Sequence, residues 1–232
     1  MPTTQPRAIL LTSNHEHLAT AAEEFARRHF DVVHVSGYPR SAKRLEPAAL
    51  EAAAGGEVDY LFNFLSPVVL KADLLRSIGR SAINFHPAPP AYPGVGSASY
   101  ALFHGDAEFG ITAHLMEPKC DSGLILRTLR FPVAPDDTCE TLFDRALVRS
   151  LDLYQDVLAD IAAGRMPEGC GETWSRAAIT RAEFERWMEL SLDDPPDVFE
   201  RKINALRHSR FPGPFLRVRG RRFGYVGEPD RS

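Results

Sequence analysis

Cysteine is scarce. Cys120, Cys139 and Cys170 are the whole complement of 232 residues, too few and too scattered for a disulfide framework and lacking the paired spacing of a metal site. Free thiols in a reducing cytoplasm, with no metal, are the expectation. Long hydrophobic runs are missing too: the opening MPTTQPRAILLTSN holds a four-residue apolar run, far shorter than a signal-peptide core or a membrane span. No membrane partner is expected. Nor does one sign of charge dominate, because 27 Lys and Arg against 31 Asp and Glu leave a net charge of -4. Such a mixed surface gives no field that would gather nucleic acid. Repeats and low-complexity segments are absent.

What is present is ordinary globular material, 44% hydrophobic and 25% charged residues, enough for one packed domain with a small appendage. Ala8 to Thr12 reads as a buried strand that ends in the turn-favouring pair Ser13-Asn14. Leu18, Ala21, Ala22, Phe25 and Ala26 recur at helical spacing, and Asp31 to Val35 follows as a second strand. The same alternation continues with a helix from Pro47 to Ala54 stopped at Gly55-Gly56, a strand from Val58 to Leu65, a short helix from Lys71 to Ile78 and a strand from Ser81 to Asn84. Strands alternating with helices predict an α/β fold with a mostly parallel sheet flanked by helices.

The segment His86 to Gly96, HPAPPAYPGVG, is too rich in proline for a helix or a central strand and is read as an ordered loop. A helix is expected over Ser97 to His104, strands over Gly110 to Met116 and Leu124 to Val133, and a long amphipathic helix from Thr141 to Ala163 ended by Gly164. Shorter segments follow: helices over Arg181 to Leu190 and Asp197 to Leu206, then a hairpin between Phe215 and Val226 turning near Gly220. The expected division is a catalytic domain over 1–170 and a small C-terminal helix-plus-hairpin subdomain over 171–232.

In open parallel sheets ligands bind beyond the carboxyl ends of the strands, which draws attention to Asn84 and His86 at such an end. Two residues apart on extended chain, their side chains point to one side. By itself an Asn-x-His at a strand end more often satisfies nearby backbone groups. Two further features add weight: His114 lies on another strand, and Asp121-Ser122-Gly123 sets a carboxylate in a turn after it. A carboxylate beside an imidazole fixes its orientation and favours its charged form.

Taken in order, Ile83-Asn84-Phe85-His86, the proline-rich loop to Gly94, Gly110-Ile111-Thr112-Ala113-His114 and Asp121-Ser122-Gly123-Leu124-Ile125 resemble the signature of the 10-formyltetrahydrofolate-dependent formyltransferases. The match runs over roughly residues 58 to 143. The resemblance implies a Rossmann-like catalytic domain, 10-formyltetrahydrofolate as co-substrate, no metal, and an amine acceptor. It implies that Asn84 donates to the formyl oxygen, that His86 stabilises the charge developing there, and that Asp121 orients His86 and helps take the amine proton. His114 is expected to support that carboxylate. Phe62, Asn63, Phe64, Leu65 and Ser66 resemble the family's pterin segment, and Asp136, Asp137 and Thr138 its closing loop. Pro89, Tyr92 and Gly94, where many members carry Leu-Leu-Pro, are expected to face the acceptor. Cys120 is read as a buried, inert thiol.

The short tail, with Arg201 to Leu206, Phe211-Pro212-Gly213-Pro214-Phe215 and Gly220 to Tyr225, resembles that of the sugar N-formyltransferases. The acceptor that this branch implies is a nucleotide-linked amino sugar, of the kind used for lipopolysaccharide O-antigen. Two alternatives stand beside it: another small amine, such as glycinamide ribonucleotide or a hydroxyornithine-like compound, or a noncatalytic folate-binding regulatory module. The tail is expected to dock on the catalytic domain or to build a homodimer.

Overall fold

A computed structural model describes residues 5–55 and 57–226; Gly56, the second half of the expected helix stop, lies outside them. β1 (Arg7–Ser13), α1 (Glu16–His29) and β2 (Asp31–Tyr38) open the chain as a strand-helix-strand unit. Helix α1 carries Glu16 in its first turn and Arg27, Arg28 and His29 in its last, matching the helix dipole at both ends. α2 (Pro47–Ala54) starts on a proline, whose missing amide costs nothing there, and leads to β3 (Tyr60–Phe64). α3 (Ala72–Ser77), β4 (Ser81–His86) and α4 (Ser97–His104) follow, then β5 (Glu108–Leu115) and β6 (Ile125–Pro132).

These six strands form one sheet in the order β2-β1-β3-β4-β5-β6. The first four are parallel, and β5 and β6 each run antiparallel to the neighbour before. The expected mostly parallel, helix-flanked sheet is what forms, with an antiparallel edge. Helix α5 (Cys139–Ala162) is capped by Thr138, whose hydroxyl accepts from the Thr141 amide.

The side-chain alternation of the strands sorts the sheet into two faces. Ala8, Leu10, Tyr60, Phe62, Phe64, Ile83, Phe85, Ile111 and Ala113 join Ala22 and Ala26 of α1 and Leu153, Tyr154 and Val157 of α5 in the larger core. Ile9, Leu11, Leu61 and Ala82 face the other way, into a smaller core with Ala53 and Ile78. Two and four residues on from Leu61 and Ala82, the same face carries Asn63, Asn84 and His86 instead of apolar side chains. That change of chemistry at the carboxyl ends marks the site.

After α5 the chain runs back beside the proline-rich loop: Ile179 N donates to Pro93 O at 2.9 Å, Val95 N to Ile179 O at 3.0 Å and Ser175 N to Pro90 O at 3.2 Å. α6 (Arg181–Trp187) and α7 (Pro196–Leu206) follow, and β7 (Phe215–Val218) pairs with β8 (Arg221–Gly224) as a hairpin. Met188, Leu206 and Phe215 make a small core of their own with Phe184 and Trp187. Trp187 lies against Tyr100 of α4 with ring centroids 4.3 Å apart.

Boundaries shift where tertiary contacts decide them. β3 stops at Phe64 because Leu65 turns to φ 62, and β4 runs on to His86 because that residue pairs with Thr112. α6 ends at Trp187 rather than Leu190, because Leu190 N donates to Phe215 O at 2.7 Å.

Candidate active site

Sheet register builds the centre of the site. Asn63, Asn84 and His114 are direct cross-strand partners on β3, β4 and β5, so three polar side chains stand in a row on one face. Asn63 Nδ2 donates to Asn84 Oδ1 at 2.9 Å, and Asn84 Nδ2 lies 3.0 Å from His114 Nε2. His114 Nδ1 donates to Leu115 O at 2.7 Å, which leaves Nε2 to accept from Asn84. The Asn84 amide is thereby fixed from both sides, and its second amide hydrogen has no partner among the described residues.

Asp121 comes from the β5–β6 connection at φ 42, a left-handed conformation that side chains disfavour. There its Oδ2 lies 3.5 Å from His86 Nδ1 and its Oδ1 3.4 Å from His114 Nε2. The Gly94 amide donates to Oδ2 at 2.8 Å. Burial alone would raise this carboxyl, but the charge of His86 and the Gly94 amide outweigh it and hold Asp121 well below the usual carboxylate range. It is a permanent anion at neutral pH. His86 Nε2 lies 3.1 Å from Tyr92 O, so each ring nitrogen faces an oxygen acceptor, an arrangement suited to two N–H donors.

Two glycines permit this closeness. Gly94 has φ 89, and a Cβ there would stand 2.2 Å from Ile179 O; at Gly123 it would stand 1.9 Å from Leu115 O. Trp174 closes the side: its indole Nε1 donates to Gly123 O at 2.8 Å, and its ring meets His114 edge-on at 5.0 Å and His86 at 6.0 Å between centroids.

The structure thus brings together Asn84, His86, His114 and Asp121, with Asn63 beneath Asn84 and Gly94 against Asp121. The other side chains expected at the ligands have the following places and partners. Phe62 and Phe64 point to the opposite face and are fully buried, packed on Tyr154, because side chains alternate along β3. Their rings are core, not ligand contacts. Tyr92 gives His86 its backbone carbonyl, while its hydroxyl donates to Asp106 Oδ2 at 2.6 Å and is pushed up by burial and that carboxylate. Pro89 is buried in the loop. Asp137 is taken up by Arg145 and the Ala134 amide, Thr138 caps α5, and Asp136 is exposed. Leu65 and Ser66 remain at the site's margin, where Ser66 O accepts from Asn63 Nδ2 at 3.4 Å.

Cys120, next to Asp121, is exposed rather than the buried thiol expected, and desolvation and the Asp121 charge push its thiol up to about 12, which disfavours the thiolate a nucleophile needs. Trp174 and Asp106 escaped sequence reasoning. A tryptophan in a polar stretch without periodicity was the available signal for the first, and nothing marked the second.

The chain is similar to several known proteins. The family described as Formyl transferase matches residues 3–158. A methionyl-tRNA formyltransferase of Listeria monocytogenes is 32% identical over 118 residues, 50% of this chain and 38% of that protein. A GDP-perosamine N-formyltransferase of Brucella melitensis is 25% identical over 74% of this chain and 65% of its own length. The chain thus spans less than two thirds of either relative. Among solved structures, a sugar N-formyltransferase from Shewanella superposes with TM-score 0.73 at 20% identity, covering 94% of this chain and 96% of that one. An N-formyltransferase from Helicobacter canadensis, in complex with folinic acid and dTDP-3-aminofucose, does so with TM-score 0.65 at 14% identity, covering 91% and 84%.

Proposed function

The chain belongs to the formyl transferase family, and from that premise we propose that it moves a formyl group from 10-formyltetrahydrofolate to the amino group of a nucleotide-linked amino sugar. One observation carries the reading: Asn84 holds an unused amide hydrogen in a fixed direction beside His86 and the ionised Asp121. Attack of a neutral amine on a formyl carbon builds negative charge on oxygen and positive charge on nitrogen, so the site needs preorganised donors and an anion. Asn84 supplies a free donor, and His86 supplies the second when its Nε2–H turns from Tyr92 O to the formyl oxygen. Asp121 supplies the anion. A carboxyl held so far down is a poor proton acceptor, so its part is to hold His86 and to stabilise the positive charge on nitrogen, while the amine proton passes through water to the carrier nitrogen, which leaves as tetrahydrofolate when its bond to the formyl carbon breaks.

The residues present fit a folate carrier. Asn63 Oδ1 is buried without a partner among the described residues, and it stands beside Leu65 and Ser66, where the chain turns out of β3. An N–H-rich heterocycle lying along Leu65 and Ser66 would satisfy that oxygen. The carrier would supply the formyl group; Asn63 and the Leu65-Ser66 backbone would hold its ring. Support for the sugar acceptor comes from the Brucella relative and from the Helicobacter neighbour's nucleotide sugar.

The test is to incubate the protein with 10-formyltetrahydrofolate and a panel of nucleotide amino sugars, glycinamide ribonucleotide, hydroxyornithine and aminoacyl acceptors, and to look by mass spectrometry for the gain of one formyl group. Gain confined to a non-sugar acceptor would move the assignment. No gain on any acceptor, with folinic acid still bound, would reduce the protein to a folate-binding module.

A further inference from the structure

A groove of about 800 Å³ opens beside the catalytic cluster, within the range of small-ligand sites. Val95 and Gly96 line it, directly after the Gly94 amide that holds Asp121. The loop after β2 lines it with Arg40 and Lys43, and the C-terminal segment with Arg181 of α6, Phe211 and Arg222 of β8. Among the described residues none of Arg40, Lys43 and Arg181 has a carboxylate within 4.0 Å, whereas Arg222 is held by Glu185 at 3.0 Å. The Arg40 guanidinium stacks on Phe211 at 3.7 Å. Desolvation and repulsion from Arg181 and Arg210 pull it below the usual arginine value, the mark of cations gathered without sufficient counter-charge.

We propose that this groove is the seat of the acceptor's nucleoside diphosphate, with Arg40, seated on the Phe211 ring, and Arg181 clasping the two phosphates. Guanidinium groups suit phosphate because they donate in pairs. The groove's position beside Val95 lets a sugar attached to that diphosphate extend toward Asn84 and His86. The inference rests on the nucleotide-linked acceptor proposed above, and it gives the C-terminal segment a chemical role, since half of the phosphate site is built from it.

Calorimetric titration with GDP, dTDP and UDP tests it, with folinic acid as the second ligand and inorganic pyrophosphate as the third. Arg40→Gln and Arg181→Gln are exposed positions, and melting curves should show the fold intact. Each should weaken the nucleotide and pyrophosphate affinities about tenfold or more and leave folinic acid within twofold. Unchanged nucleotide affinity in the folded double variant, or no nucleotide binding by the parent protein, would overturn the proposal. So would an equal loss for folinic acid, which would give the cations to the carrier's glutamate carboxylates. Arginine-dependent nucleotide binding without formyl transfer to any sugar would keep the groove and sink the activity, so the two readings fail separately.

Discussion

At the scale of single residues, the site is a buried polar row whose members depend on one another. Asn84→Ala removes the donor proposed for the formyl oxygen and takes the Asn84 partner from Asn63 Nδ2 and His114 Nε2. Turnover should fall on the order of a hundredfold, and stability by about 1–3 kcal/mol. Steady-state kinetics and denaturant melts read the two effects; near-parental turnover would remove Asn84 from the chemistry. Asn63→Ala should cost roughly tenfold in turnover with the acceptor KM unchanged, because it frees the Asn84 amide to rotate without touching the acceptor. Asp121 adds a pH signature. Its carboxyl is depressed in the folded state, so its stabilisation is complete above the ordinary carboxylate pKa of about 3.9 and is lost as pH falls through the folded value. Asp121→Asn should therefore be less stable at neutral pH, and the gap should close in strong acid. Acid limbs that run parallel would free Asp121 of that linkage.

At the scale of elements, the loop between β4 and α4 is the piece on which the site turns. It supplies the Gly94 amide to Asp121 and the Tyr92 carbonyl to His86, and it is tied to the segment ending at Ile179 by three backbone hydrogen bonds. Gly94→Ala puts a Cβ into a left-handed backbone and onto Ile179 O. A loss of about 2 kcal/mol or more is expected, together with reduced turnover as Asp121 loses its amide partner. A variant as stable and as active as the parent would show that the loop tolerates a different path. Elements of this kind were legible only in part. HPAPPAYPG excludes regular structure, and proline rigidity says that the loop is ordered, but its path depends on residues about 80 positions downstream, which no local pattern encodes.

At the scale of the whole molecule, the boundary expected at 170–171 meets a chain that interleaves with the loop between β4 and α4 before it forms α6. Residues 172–179 are therefore better regarded as a strap over the site, carrying Trp174 between Gly123 and the two histidines. Removing 180–232 should weaken nucleotide-sugar use while folinic acid still binds, since Asn63, Leu65 and Ser66 lie outside the deletion. Removing 172–232 should in addition unseat Asp121 and lower turnover further. Equal kinetic constants for the full chain and the shorter truncation would leave the tail with no part in acceptor binding. Binding titrations and kinetics on both truncations decide it.

The order of strands and helices, the mostly parallel sheet and the residue types of the candidate site follow from the sequence by itself, because hydrophobic period, proline and glycine punctuation and ordered motifs act over short distances. Asn84 and His86 at a strand end were readable for that reason. The register that sets Asn63 beneath Asn84, the face that takes Phe62 and Phe64 into the core, and the union of Arg40 with Arg181 in one groove were decided only by the tertiary structure. Each depends on which of two faces a strand presents or on which distant segments meet, and those choices are settled by packing the whole chain.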